Sequence, residues 1–107
     1  MVLVFVNRFA VHGNAEDFER AFQASSEFMC QQPGFLRHCL VRSSRLPEHY
    51  VNIAEWEDAA SFRRATEHPD FKPHVRELRE LASSEPHLCV PVLQRDALSG
   101  AGDAETG

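Results

Sequence analysis

Two asparagines and the only tryptophan of the chain occupy positions whose spacing suggests chemistry. Asn7 and Asn52 each lie in an alternating segment, on a side that should be apolar, and Trp56 lies on the same side as Asn52. A carboxamide both donates and accepts hydrogen bonds, and leaving it buried and unpaired costs about 1–3 kcal/mol. Each amide must therefore bond to backbone, water or a ligand. A satisfied core amide is the simpler alternative for each, but two amides and a tryptophan converging on one space favour a ligand site.

Histidine and arginine side chains are weaker candidates. His74 follows a proline at the start of a helix, where a partly exposed histidine is common, and Arg76 and Arg79 alternate with acidic residues, as on an ion-paired surface. The six histidines show no ligand spacing, and the three cysteines form no CxxC pair. We therefore predict no metal site and no disulfides, with the cysteines reduced and buried.

Length and charge restrict the class of protein. The chain has 107 residues, enough for one domain, which we place at residues 1–96, with a disordered tail at 97–107. A formal charge of −5 argues against nucleic acid and against an anionic membrane surface. The chain has no apolar run of transmembrane length, and its start does not resemble a signal peptide. The expected location is the cytoplasm.

Hydrophobic periodicity predicts the order β-α-β-β-α-β. This is the ferredoxin-like arrangement of the α+β class, an antiparallel sheet with helices on one face. The second helical region is divided at Pro69 into a short helix capped by Asp58 and a longer one ending near Ser83. The predicted strands and first helix are Val2–Val11, Ala15–Gln32, Phe35–Arg42, Tyr50–Trp56 and Leu88–Gln94.

Strands one and three are neighbours at the centre of such a sheet, so Asn7 and Asn52 are expected to point into the same space beneath the helices. The opposite face of these strands is also apolar and lacks a helical cover. A second copy of the chain would bury it, and we expect a homodimer. The residues on this face are Val4, Val6, Val51 and Ile53.

Several motifs resemble a known family. VNRF near the start, QPGF after the first helix, YVNIAEW, and HPDF-x-PH are similar to segments of the antibiotic biosynthesis monooxygenase family, over about residues 2–95. Extended forms such as VNRFAVHG and QPGFLRH more specifically resemble the anthrone oxygenases of aromatic polyketide pathways. The resemblance implies a ferredoxin-like subunit that pairs into a dimeric α+β barrel.

The same resemblance implies an activity. Such enzymes oxidise an anthrone-type polycyclic aromatic polyketide to the quinone with O₂, through a substrate carbanion and a hydroperoxide, and need no metal, flavin or haem. Matching positions make Asn7, Asn52 and Trp56 the catalytic residues. The implied substrate-binding residues are Phe62, His74 and Arg79, with Arg76 as the alternative to Arg79.

Two further functions remain open from the sequence. Haem-degrading members of the same superfamily have a distal asparagine and a proximal histidine that resemble Asn7 and His74. Their haem-distorting tryptophan, however, falls near Ala65, which argues against haem degradation but not against haem binding. The other alternative is a dimeric module that binds a flat ligand without catalysis.

Overall fold

The computed structural model describes residues 1–98 and contains four strands and three α-helices. A single 3-10 turn, Pro69–Phe71, joins the second helix to the third. In chain order the elements are β1 (Leu3–Val11), α1 (Ala15–Met29), β2 (Phe35–Arg42), β3 (His49–Trp56), α2 (Ala59–Thr66), α3 (Lys72–Leu81) and β4 (Ala82–Cys89).

The strands form one sheet in the order β2-β3-β1-β4, and every neighbouring pair is antiparallel. This is the ferredoxin-like topology, so the predicted fold class is confirmed, as is the central position of β1 and β3. The predicted faces of these strands are also correct. Leu3, Phe9 and Val11 are buried on one side of β1, whereas Val4 and Val6 on the other side are only half-buried.

Two apolar clusters lie between the sheet and the helices, one towards each end of the central strands. The first contains Phe9, Val11, Phe18, Phe22, Tyr50 and Ala82, and the second contains Leu3, Ala54, Trp56 and Ala65. Along β1 and β3, Asn7 and Asn52 fall between the residues of the two clusters. The core is therefore interrupted by polar side chains where its two halves would otherwise meet.

The helices cover the sheet unequally. α1 begins at the predicted cap Asn14, whose side chain accepts the Asp17 amide N–H at 3.1 Å, and it buries Phe18 completely and most of Phe22. α3 has no fully buried residue. The sheet under α3 is therefore less tightly covered than the sheet under α1, and a cleft lies there.

The C-terminal strand differs from the prediction. It runs over Ala82–Cys89 rather than Leu88–Gln94, and α3 ends at Leu81 rather than near Ser83. As an edge strand β4 pairs only with β1, so it tolerates Pro86 and largely polar, exposed residues. The apolar residues after Cys89 suggested a strand, but they lie outside the sheet.

The cysteine prediction is also wrong. Cys30, Cys39 and Cys89 are free thiols as expected, but all three are exposed in the single chain. Of the predicted tail, residues 97 and 98 have no regular structure, and residues 99–107 lie outside the described part of the chain. Across residues 1–98, no helix is long and apolar enough to cross a membrane.

Replacing Gly34 with alanine should destabilise the fold. Gly34 has a φ of 90°, and a Cβ there would collide with the Ser61 side chain. We expect Gly34→Ala to lower the free energy of unfolding by more than about 1 kcal/mol in denaturant titrations. Gly13→Ala is the control, because the close contact of its Cβ would be with the flexible end of Leu81 at 3.0 Å, and the Leu81 backbone lies at an ordinary 3.7 Å. Equal effects of the two substitutions would contradict this prediction.

Tyr50 should ionise late. Burial, and then its hydrogen bond to Glu19, raise the pKa of Tyr50 from 10.0 to about 12. Because the folded pKa exceeds the unfolded one, this stabilisation is complete below pH ~10 and is lost as pH rises towards 12. Tyr50 is the only tyrosine, so tyrosinate absorbance reports it directly. If the tyrosinate signal of the folded protein appeared near pH 10, the raised pKa of Tyr50 would be contradicted. The variant Tyr50→Phe should not show the loss of stability at alkaline pH.

Candidate active site

The centre of the site is a pair of opposed amides. In the antiparallel register of β1 and β3, Asn7 is the direct partner of Asn52. Directly opposed residues on one face hold their Cβ atoms about 4.5–5.5 Å apart, so both side chains enter the same space. Asn52 is buried and Asn7 is half-buried. The structure thus brings together the two amides that the sequence singled out.

Both amides line a small inner chamber of about 80 Å³ between the sheet and α1. Trp56, only 2% exposed, lines the same chamber. Its indole is held edge-on by Phe35 at 5.2 Å and by Phe62 at 5.9 Å between ring centroids. The chamber is therefore an aromatic space in which Asn7 and Asn52 are prominent polar groups.

A larger outer cleft of about 820 Å³ lies beside the inner chamber, under α2 and α3 and over β1 and β4. A space of this size accepts a small organic molecule. The two spaces have lining residues in common, so they meet at Asn7. The shared lining residues are Phe5, Asn7, Phe9, Phe71 and Leu78.

The Asn7 side chain has an unpaired oxygen. Its Oδ1 is shielded from solvent and accepts no hydrogen bond from residues 1–98. Such an acceptor costs about 1–3 kcal/mol when nothing compensates it. Because Asn7 lies where chamber and cleft meet, a hydroxyl of a molecule in the cleft is well placed to satisfy this oxygen.

Asn52, in contrast, is held by a hydrogen-bonded chain that the sequence did not reveal. His38 Nδ1 lies 3.0 Å from Asn52 Oδ1, and His38 Nε2 lies 2.6 Å from Ser26 Oγ on α1. Both Ser26 and His38 line the inner chamber. The one available signal was the alternation of β2, which places His38 on the same face as its apolar neighbour Leu40; Leu36 does not share that face, because the register shifts between Phe35 and Arg37.

The outer cleft contains most of the predicted substrate-binding residues. Phe62 lines it and packs on Phe5 at 4.8 Å between centroids. Arg76 and Arg79 both line it and are exposed, so the choice between them stays open. His74 lines neither space. Its ring contacts Phe28 and Phe71 instead, so it reaches the cleft only through Phe71.

The charge of the cleft differs from that of the chain. Lys72, Arg76 and Arg79 line the cleft, and within residues 1–98 no carboxylate does so. The chain as a whole carries a formal charge of −5. A local excess of positive charge favours an anionic ligand. Residues 1–98 also contain no cluster of three acidic, histidine or cysteine side chains that could hold a metal ion.

A ferredoxin-like sheet with a largely apolar cavity beneath its helices and a few inward polar groups is typical of a protein that binds a small molecule. The chain belongs to the antibiotic biosynthesis monooxygenase family, whose sequence model matches residues 1–87. The resemblance seen in the motifs is thereby confirmed, and so is the prediction that the protein is a monooxygenase.

Individual relatives agree with this assignment. The chain is 45% identical over 101 residues to deoxynogalonate monooxygenase of Streptomyces nogalater, covering 94% of this chain and 83% of that protein. It also resembles the crystal structure of SnoaB, described as a cofactor-independent oxygenase from Streptomyces nogalater. The TM-score is 0.85 at 44% identity, covering 87% of this chain and 95% of SnoaB. A family protein of Caulobacter crescentus has the same fold at 17% identity and a TM-score of 0.78, with coverage of 86% and 91%.

The two amides should respond differently to replacement by leucine, which has a similar shape. Asn7→Leu removes an unpaired buried oxygen, so the free energy of unfolding should stay constant or rise. Asn52→Leu leaves His38 Nδ1 without its partner, so the free energy of unfolding should fall by about 1–3 kcal/mol. Denaturant titrations of the two variants measure the contrast, and equal losses would show that Asn7 is bonded within the fold.

Proposed function

We propose that this enzyme oxidises an anthrone-type polycyclic aromatic polyketide to the quinone with O₂ and without a metal or organic cofactor. The observation that carries the proposal is the opposed pair Asn7 and Asn52: both line the small chamber, and Asn7 also lines the outer cleft. The names of the similar proteins, a deoxynogalonate monooxygenase and a cofactor-independent oxygenase, support it.

The outer cleft suits a flat, hydroxylated ring system. Phe5 and Phe62 offer aromatic faces along one wall, against which fused rings pack favourably. A phenolic hydroxyl of the substrate donates to the unpaired Asn7 Oδ1. Arg79 or Arg76 lies at the exposed side of the cleft and attracts an ionised substrate.

The electron count of this reaction explains why no cofactor is required. Converting a CH₂ group to a carbonyl removes four electrons from the substrate, and O₂ accepts all four. A proton leaves the CH₂ group, and the carbanion passes one electron to O₂. The radical pair then joins to form a C–O bond. The peroxide takes up a proton, its O–O bond breaks with loss of the remaining C–H proton, and water leaves. One oxygen atom stays in the quinone.

The protein stabilises charge and excludes water in this scheme. The carbanion is delocalised onto the oxygen of the central ring, and a donor aimed at that oxygen lowers the barrier most. Asn52 supplies the amide N–H groups and Trp56 an indole N–H or a stacking surface. No carboxylate among residues 1–98 lines the cleft, so the CH₂ group of the substrate must be acidic enough to ionise without a carboxylate base.

The haem-binding alternative has less support. It would require Asn7 and His74 to face the same bound group from opposite sides. Asn7 lines both the chamber and the cleft, whereas His74 lines neither and packs against Phe28 and Phe71. The small side chain of Ala65 is fully buried in the core instead of facing a ligand.

We also propose that two copies pair through the face of the sheet that carries no helices. Its centre is apolar, with Ile53 40% exposed and Val41 43% exposed. Ion pairs border it, one between Arg37 and Glu55 and another between Arg8 and Glu85. A partner sheet would cover the apolar centre and leave the ion pairs at the rim. The apolar residues at the centre are Val4, Val6, Val41, Val51 and Ile53.

Asn52→Ala and Trp56→Phe should each lower kcat by more than the loss of folded protein can explain. A donor aimed at a developing oxyanion contributes roughly 10²–10³ in rate, and we expect the lower end because the anion is delocalised. Oxygen-electrode rates with dithranol, a hydroxylated anthrone, and thermal melts of the same samples measure both effects. Trp56→Phe retains an aromatic wall and removes the N–H, so it helps to separate hydrogen bonding from stacking.

Asn14→Ala is the matched control. It removes a helix cap that lines neither the chamber nor the cleft, so it should cost about 0.5–2 kcal/mol of stability with kcat per folded molecule unchanged. A several-degree fall in melting temperature with normal turnover in Asn52→Ala would place Asn52 with Asn14 as a purely structural amide.

Wild-type turnover should also persist after dialysis against EDTA. If dialysis abolished turnover and the addition of one metal ion restored it, the proposal of a cofactor-free reaction would be contradicted.

A further inference from the structure

We propose that Ser26 and His38 act as positioning residues that fix the orientation of the Asn52 amide, so that its NH₂ group faces the inner chamber. This inference rests on the proposed function for its catalytic meaning. It deepens that function by naming two residues that line the inner chamber and do not belong to the predicted site.

The chemistry of the atoms determines the direction of each hydrogen bond. Asn52 Oδ1 is an acceptor only, so His38 Nδ1, 3.0 Å away, must carry the proton and donate it. In a neutral imidazole the other nitrogen then has a free lone pair. Ser26 Oγ, 2.6 Å from Nε2, therefore donates its hydroxyl proton to His38. The hydrogen bonds therefore point in one direction, with Ser26 donating to His38 and His38 donating to Asn52.

This direction matters because an asparagine amide can present either of its ends. The terminal torsion of asparagine is broad, so a free side chain can point its oxygen or its NH₂ group into the chamber. An oxygen in that place would repel a substrate oxyanion, whereas the NH₂ group stabilises it. Since His38 occupies Oδ1, Nδ2 remains for the chamber that Asn52 lines.

His38 is itself held in place by packing. Its ring is half-buried and lies 5.9 Å from the Phe22 ring and 6.0 Å from the Phe35 ring, measured between centroids. Ser26 belongs to α1, whereas His38 and Asn52 lie on β2 and β3. The hydrogen bonds from Ser26 through His38 to Asn52 therefore connect the helical layer to the sheet. A change in the separation of these two layers would alter the orientation of the Asn52 amide.

The first experiment needs no substrate. Ring ¹⁵N NMR of the labelled wild-type protein in mildly alkaline buffer distinguishes the protonated from the unprotonated nitrogen of each histidine. The His38 signals are those missing from His38→Asn. We expect a proton on Nδ1 and none on Nε2, which is the reverse of the tautomer that free histidine prefers. A proton on Nε2 would mean that Asn52 presents its oxygen to the chamber, and it would overturn the inference.

The second experiment compares variants with dithranol and O₂. His38→Leu should lower kcat about 10- to 100-fold with KM nearly unchanged, because the chain acts on charge that develops in the transition state. His38→Asn retains an N–H close to the place of Nδ1, so it should restore most of kcat. Ser26→Ala should give a smaller loss. His12→Leu, at an exposed turn residue, is the control and should match the wild type.

A double substitution tests whether His38 acts through Asn52. In the Asn52→Ala background, His38→Leu should cause no further loss of kcat, because the effects of substituting two residues that act as one unit do not add. A full additional loss would overturn the positioning role, as would normal turnover of His38→Leu in the otherwise wild-type chain. If the wild type does not oxidise dithranol, the proposed function fails on that substrate, and the NMR result still decides the orientation of Asn52.

Discussion

Antiparallel pairing of β1 with β3 sets Asn7 opposite Asn52, and most of the site depends on that register. A shift of one residue would turn the side chains of a strand to the other face, moving an amide to the open side and valines into the core. The two apolar clusters on either side of the amide pair hold the register, because each would lose its buried strand residues in a slip. Polar groups at the centre of the sheet are thus held in place by the hydrophobic packing on both sides of them.

The faces of the central strands were predictable because side-chain direction in a strand is a local property with a period of two. The position of Asn7 and Asn52 beneath the helices followed from that period and from the order of the elements. The contact of His38 with Asn52 was not predictable in this way. It depends on how β2 aligns with β3, and that register shifts between Phe35 and Arg37. It also requires α1 to place Ser26 over the sheet, which is a tertiary relation.

The C-terminal strand shows a different limit. Its residues are mostly exposed, and Ala82 alone is fully buried, so hydrophobic alternation gives almost no signal for it. What determines it is the unsatisfied edge of β1, which provides backbone hydrogen-bonding groups for any following segment of sufficient length. Sequence patterns record side-chain burial, and this strand is fixed chiefly by its backbone. Cys39 and Cys89 were misjudged for a related reason, since a small apolar side chain also occurs on strands with a face that a single chain leaves open.

The incomplete burial of α3 has a consequence for how such an enzyme can diverge. The amides, Trp56 and the His38 chain belong to the sheet and α1, whereas much of the cleft wall comes from α3, including Val75, Arg76 and Arg79. Since no residue of α3 is fully buried, substitutions along it change the shape and charge of the cleft at small cost to folding. Selection can therefore change which molecule enters the cleft while the inner chamber stays constant, so that related members of this family can differ in substrate and keep one arrangement of amides.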